Sequence, residues 1–271
     1  MVAAWSTSAI AAPIYLVHDE AGPMETLSRL LQAHGYAAKA ENETDFRKEM
    51  QTVTPRVMFL YVHGVLKPDL EDYIISFARG GGRLIILHHG LASAKAQNLK
   101  YMDFLGMSIT RDAPPKWTVA RGAVELVNLN PGHYVTTHNV VYSGTVSYRS
   151  SDSPSVDQSL PAIEFADTEA FLNMMFTDAH RKTVLFGVRV QTSDGIQMQD
   201  RGGWMMRTGK GCVFYFQPGH FAKDFENPQY LQILLNAIEW TPDGTPYDDG
   251  LFAAFGALAL IPNSRISAGA L

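Results

Sequence analysis

Three unbroken apolar runs separated by amphipathic segments limit what this chain can fold into. The runs are "PIYLVH" (13–18), "RVMFLYVHG" (56–64) and "RLIILHH" (83–89). None alternates apolar with polar residues, which is the pattern of strands covered on both faces, as in a parallel sheet. After the first run, "GPMETLSRLLQAHGY" sets Met24, Leu27, Leu30 and Leu31 at helical spacing and stops at Gly35. Between the second and third, "PDLEDYIISFARGGG" opens on Pro68 and acidic residues and closes on Arg79 and glycines, an order the helix dipole favours. Parallel neighbours need long crossovers, so this β-α-β-α-β rhythm predicts an α/β fold with helices on both faces of a mostly parallel sheet.

The middle of the chain is less regular. "TVARGAVELVN" (118–128) and "HNVVYSGTVSYRS" (138–150) read as strands of an irregular β-rich insertion around 111–180, and "SSDSPSVDQS" (150–159) as a polar loop. Regular strands return with "TVLFGVRV" (183–190), "GGWMMRTG" (202–209) and "GCVFYFQPGH" (211–220), the last two forming a hairpin at "TGKG". In "NPQYLQILLNAIEW" (227–240), Leu231, Leu234, Leu235 and Ile238 share a helix face that packs back on the sheet. A single domain is expected over 1–241, followed by a tail, 242–271. The apolar piece of that tail, "LFAAFGALALIP", is expected to pack on the body or on a second subunit, which makes a homo-oligomer the expected state.

Composition excludes several functions. The chain has 271 residues, 46% of them hydrophobic, enough for a large core. A net charge of −5 and the absence of any Lys/Arg block offer nothing to nucleic acid or to an anionic membrane. The longest apolar run, 251–262, is too short to span a bilayer. Cys212 is the only cysteine, so an internal disulfide and a cysteine metal cluster are both excluded; preceding "VFYF", it reads as a buried small residue. "RGGG" and "TGKG" present no helix N-terminus to an anion and read as turns, so no nucleotide cofactor is expected. The N-terminal "VAAWSTSAIAAP" ends in small residues but lacks a basic flank and a solid apolar stretch. A cytoplasmic location is therefore the default, with export after signal trimming as the minor alternative.

Ligands of open parallel sheets sit at the carboxyl ends of the strands. Five of the nine histidines fall there: His18 (with Asp19 and Glu20), His63, the pair His88–His89, and His220 after "VFYFQPG". Imidazole titrates near working pH and is a good metal ligand when neutral, so both uses are open. The plainer reading is that one ring of the pair caps a loop carbonyl and the other packs. Gly90 adds a strand, a polar residue and a small residue in succession, the shape of a nucleophile elbow. "EFADTEAF" (164–171) places Asp167 and Glu169 on one strand face, to orient a histidine, bind sugar hydroxyls or meet solvent. Trp117 and Trp204 are able to stack on a sugar ring, although core packing is the commoner use of tryptophan.

Together these segments resemble one family. "ISFARGGGRLIILHHG", "YMDFLGMSI", "NLNPGHYVT", "IEFADTEAF" and "GGWMMRTGKGCVFYFQPGHFAKDFENPQYLQILLNAIEW" are similar to successive elements of the ThuA-like (trehalose utilisation) family, spread over residues 13 to 241. The resemblance implies a flavodoxin-like three-layer sandwich related to class I glutamine amidotransferases. Their nucleophilic cysteine corresponds to His88 here, so cysteine-dependent amide transfer is not expected. It also implies a small-molecule carbohydrate substrate, a keto-disaccharide, cleaved or hydrated by histidine acid/base or metal-assisted chemistry; the rival is a non-catalytic carbohydrate-binding or regulatory module. His88, His220 and Glu169 are the expected catalytic residues, with His88 and His220 as candidate ligands of a divalent metal. His89, Asp167, His133, Trp204, Tyr61 and His63 are expected to contact substrate. The chain departs from the family pattern where Tyr134 replaces a proline after His133 and where Thr168 splits the acidic pair, which implies a different substrate within the family.

Overall fold

A computed structural model describes residues 13–112, 114–152 and 156–242. The N-terminal segment bearing the signal-like residues and the apolar tail lie outside the described residues. The first half runs β1 (Ile14–His18), α1 (Ala21–Ala33), β2 (Ala38–Asn42), α2 (Glu43–Glu49), β3 (Val57–Tyr61), α3 (Pro68–Arg79), β4 (Arg83–Leu87), α4 (Leu99–Leu105) and β5 (Met107–Ile109). The second half runs β6 (Thr118–Asn128), α5 (Tyr134–Thr137), β7 (Gly144–Tyr148), β8 (Gln158–Leu172), β9 (Met174–Phe176), β10 (Thr183–Thr192), β11 (Gly195–Thr208), β12 (Gly211–Phe216), α6 (Ala222–Phe225) and α7 (Pro228–Glu239).

One ten-stranded sheet has the order β2-β1-β3-β4-β12-β11-β10-β6-β8-β7, and β5 and β9 form a separate pair. The expected mostly parallel sheet is corrected. The four pairings from β2 to β12 are parallel, and the five from β12 to β7 are antiparallel. The cause lies in the connections. Helices α1, α2 and α3 and the helical stretch after β4 provide the crossovers that parallel strands need, whereas β10, β11 and β12 are joined by two-residue turns at Ser193–Asp194 and Gly209–Lys210.

Where the sheet is parallel, β1, β3 and β4 are buried along their whole length. Leu16, Phe59, Ile85 and Phe214 point to one face, under Met24, Leu27 and Leu31 of α1 and Leu231, Leu234 and Ile238 of α7. Their neighbours Val17, Leu60, Ile86 and Val213 point to the other, under Leu70, Ile74 and Ala78 of α3 and Tyr101 of α4. This is the three-layer arrangement that the continuous apolar runs require. Helix α7 starts at Asn227, whose side chain accepts from the backbone N–H groups of Gln229 and Tyr230, both at 3.1 Å.

The antiparallel half curls back over the strand ends. Three strands separate β8 from β12, yet the N–H of Phe171 on β8 donates to Gln217 Oε1 just past β12, at 3.1 Å. Gln217 Nε2 donates to the Phe171 carbonyl at 3.1 Å and to the Arg201 carbonyl at 3.3 Å. Gln199 on β11 holds the same stretch, donating to the Phe171 carbonyl and accepting from the Met174 N–H.

Candidate active site

The parallel strands deliver their carboxyl ends to one edge. Phe216 of β12 is in register with Leu87 of β4, so Gln217 and His88 leave the sheet side by side. The His88 ring meets the Gln217 carbonyl at 2.7 Å through Nδ1, which leaves Nε2 facing His220 and Glu169. His88 is fully buried and has φ +31°, a left-handed conformation that costs a non-glycine residue about 1–3 kcal/mol. The elbow read from the sequence is therefore present. Gly90 completes it: a Cβ there would lie 2.6 Å from both the Leu60 carbonyl oxygen and an Ile86 methyl, so only glycine lets the turn pass this close to β3.

Three side chains converge at this point. His88 Nε2 lies 3.2 Å from His220 Nδ1, His220 Nδ1 lies 3.2 Å from Glu169 Oε2, and His88 Nε2 lies 3.7 Å from that oxygen. His89 adjoins them, its ring centre 4.7 Å from that of His88 and 5.2 Å from that of His220. Phe171 stacks on His88 at 4.3 Å and Trp117 packs behind Phe171. His220 and Glu169 remain about one-fifth exposed and form the solvent edge.

A second group opens from His89 toward solvent. Glu20 reaches His63 Nδ1 at 3.2 Å and His89 Nδ1 at 3.0 Å, and the His63 and His89 rings stack at 4.3 Å. The contact with His89 Nδ1 lies off the hydrogen-bond direction, so that buried nitrogen has no hydrogen-bond partner. The loop carrying His63 is clamped from both sides. Asp19 accepts the backbone N–H groups of His63 and Gly64, and the wholly buried Lys95 ammonium donates to the carbonyls of Val62, His63 and Gly64. Burial pushes Lys95 down to about 8.

Charge at the site is set by burial and proximity. Desolvation, then the neighbouring His88, His63 and His220 rings, pushes His89 down to about 2, so it stays neutral. His220 is lowered by burial first and by His88 next. Glu169 is held below the usual carboxylate range, chiefly by its interaction with His88, with the His220 charge assisting. The arrangement is a carboxylate held below its usual range facing two imidazoles. Such a set can pass a proton, steady a negative oxygen or hold a divalent ion; His88, His89, Glu169 and His220 form one group of ligating geometry, and Glu20, His63 and His89 another.

The remaining expected residues are spread out. Tyr61 is buried, packs its ring on His89 and donates its hydroxyl to the His220 carbonyl, so it supports the site from below. Asp167 sits on the rim, ion-paired with Lys223 and Arg121 and apart from the cluster. Trp204 is wholly buried against Tyr215 and Phe176 and offers no face to a sugar. His133 caps α5 through Nδ1 and stacks on Trp240, away from the histidine cluster. Sequence reasoning missed Gln217 and Asp224. Asp224 is buried, accepts from Thr168 Oγ1 at 2.6 Å and from the Phe221 N–H, and so joins the strand of Glu169 to the turn after His220. Both are single polar residues with no spacing to mark them. A cleft of about 560 Å³ lies elsewhere, along Thr118–Arg121 and Gln191–Asp194, and is not lined by the histidines.

An elbow bearing histidine, backed by a histidine from the turn after β12 and an acid from a returning strand, defines an α/β protein with a histidine–carboxylate centre at the parallel strand ends. The family model for ThuA, trehalose utilisation, matches residues 13–241, and the chain belongs to that family. None of the curated proteins matches it. Among solved structures, a putative ThuA-like protein from Bacteroides uniformis is similar in fold, with a TM-score of 0.57 and 14% identity over 89% of this chain and 95% of that one. A putative GMP synthase component from Thermoplasma acidophilum matches at a TM-score of 0.45 and 14% identity, covering 92% of this chain and 98% of that one. A GH42 β-galactosidase from G. stearothermophilus matches at 0.47 and 13% identity over 86% of this chain but 31% of its own. Family membership supports a role in carbohydrate utilisation. Among the described residues, no helix is long and apolar enough to cross a membrane.

Proposed function

We propose that the chain is an enzyme of carbohydrate utilisation that cleaves or hydrates a keto-disaccharide at the His88–His220–Glu169 centre. The observation that carries this reading is the convergence of His88 Nε2, His220 Nδ1 and Glu169 Oε2 within 3.7 Å, at the edge where five parallel strands end. A ketone next to the glycosidic end of a sugar acidifies the neighbouring C–H bond. Removing that proton and expelling the glycoside needs a base, a proton donor to the leaving oxygen and a group that steadies the enolate. The cluster has a proton-transferring edge, His220 with Glu169, and a buried interior nitrogen on His88. Phe221 packs edge-on against His220, with Arg121 and Lys223 over its ring, and supplies a mixed apolar and cationic rim suited to a polyol.

The test is release of free sugar from a keto-disaccharide by the wild-type chain and by His88→Ala. Turnover reduced by at least about 100-fold, the scale of a lost acid/base group, supports the reading; full activity in the variant removes it. Tight sugar binding without turnover in the wild type would favour the binding-module alternative.

A further inference from the structure

We propose that His88 Nε2, His220 Nδ1 and Glu169 Oε2 form a three-ligand site for one tetrahedral divalent ion of the zinc class, with the fourth position left to a non-protein ligand. This deepens the reading above and rests on it only for what the ion does. Tetrahedral zinc bonds of about 2.0–2.2 Å place neighbouring ligand atoms roughly 3.3–3.5 Å apart. The three atoms here form a triangle with edges of 3.2, 3.2 and 3.7 Å, already the face of such a tetrahedron. Two imidazoles and one carboxylate are the donor set of three-ligand zinc sites that keep an open position. The all-oxygen sets preferred by calcium and magnesium are absent from this triangle.

Orientation is supplied outside the ligands. The His88 ring is held through Nδ1 by the Gln217 carbonyl, the outer contact that fixes a ligating imidazole in the right tautomer. Gln217 is itself pinned by its side chain to the backbone of Phe171, two residues from Glu169. Thus one residue sets both a nitrogen and the strand that carries the oxygen. A ring nitrogen of His89 lies within 4.8 Å of the other three ligand atoms. With no ion bound, the His220 Nδ1 proton has two acceptors, His88 Nε2 and Glu169 Oε2. Binding through Nδ1 requires the other tautomer: the ring carries its proton on Nε2 instead, and the ion takes the three lone pairs with no net proton lost.

The test uses the full chain, stripped with a chelator, dialysed and titrated with Co²⁺ alone. One equivalent should bind, with the intense visible bands of low-coordination cobalt and one-for-one displacement by Zn²⁺. Glu169→Gln, nearly isosteric, and His220→Ala, at the solvent edge, should each weaken binding by more than about 100-fold, beyond the loss typical of an outer-shell change. His133→Ala should bind as the wild type does. No stoichiometric binding, a weak octahedral spectrum, or unchanged affinity in both Glu169→Gln and His220→Ala overturns the site. Turnover that survives stripping, in a chain that binds no Co²⁺, overturns the ion and leaves the acid/base reading standing. Stoichiometric binding without turnover of any keto-disaccharide upholds the ion and removes the catalytic reading.

Discussion

Asp167 and Glu169 are two residues apart on β8, and an unbroken strand would put both on one face. Between Phe165 and Thr168, β8 carries one more residue than β6 does between Gly122 and Val124, a β-bulge. Past it, Phe165 belongs to the core face under α7 while Phe171 belongs to the opposite one, and Glu169 turns with Phe171 toward His88. Asp167, at the bulge, is left on the rim in exposed ion pairs with Arg121 and Lys223. Asp167→Asn should therefore change stability by less than about 1 kcal/mol and leave kcat near wild type. Glu169→Gln should lower kcat by roughly 10²–10⁴-fold without unfolding the chain; equal kinetics in the two variants would contradict the separation. The strand-end histidines were legible because polar residues ending apolar runs stand out. Gln217 and Asp224 were not, since their partners are backbone groups and a threonine brought close only by folding.

Helix α7 was legible as an element because its stripe is long: Leu231, Leu234, Leu235 and Ile238 bury together on the sheet. Leu234 is wholly buried, and Leu234→Ala should cost about 2–5 kcal/mol, read as a lower urea midpoint at unchanged slope. The segment 38–49 gave no such stripe. Strand β2 is an edge, with Lys39 in ion pairs to Glu41 and Glu49, and α2 buries only Phe46. One buried position in seven residues carries no period. Buried charge also acts at this scale. Lys182, at the start of β10, lies over the Trp204 and Phe176 rings, and desolvation pushes it down to about 7. Its ordinary value is near 10.4, so between about pH 7 and 10 the unfolded chain binds a proton that the folded chain lacks. Stability from this group should rise with pH across that window and be least below it. Lys182→Met should raise the melting temperature at neutral pH and flatten the rise; an unchanged pH profile would count against a neutral buried lysine.

The whole sheet was half legible. The first three strands declare crossovers through their helices, whereas the antiparallel strands are set by pairings between distant segments such as β6 with β8 and β10. Nothing local in the sequence records that this half curls over the strand ends. The curl is what makes the site, since Glu169 reaches His88 only because Gln217 and Gln199 tie β8 back to β12 and β11. Gln217→Ala leaves the Phe171 N–H and carbonyl without that partner, a cost of about 1–3 kcal/mol for a buried polar group. It should also lower kcat more than it raises KM, because it loosens the acid and not the rim. An unaltered kcat would show that the tie between the two halves is structural only.

The most direct measurement is free-sugar release from a keto-disaccharide, compared between wild type and His88→Ala, with circular dichroism to confirm that both are folded. Turnover by the wild type and a loss of at least about 100-fold in the variant are expected if His88, His220 and Glu169 form the reaction centre. Full activity in a folded His88→Ala chain would contradict it.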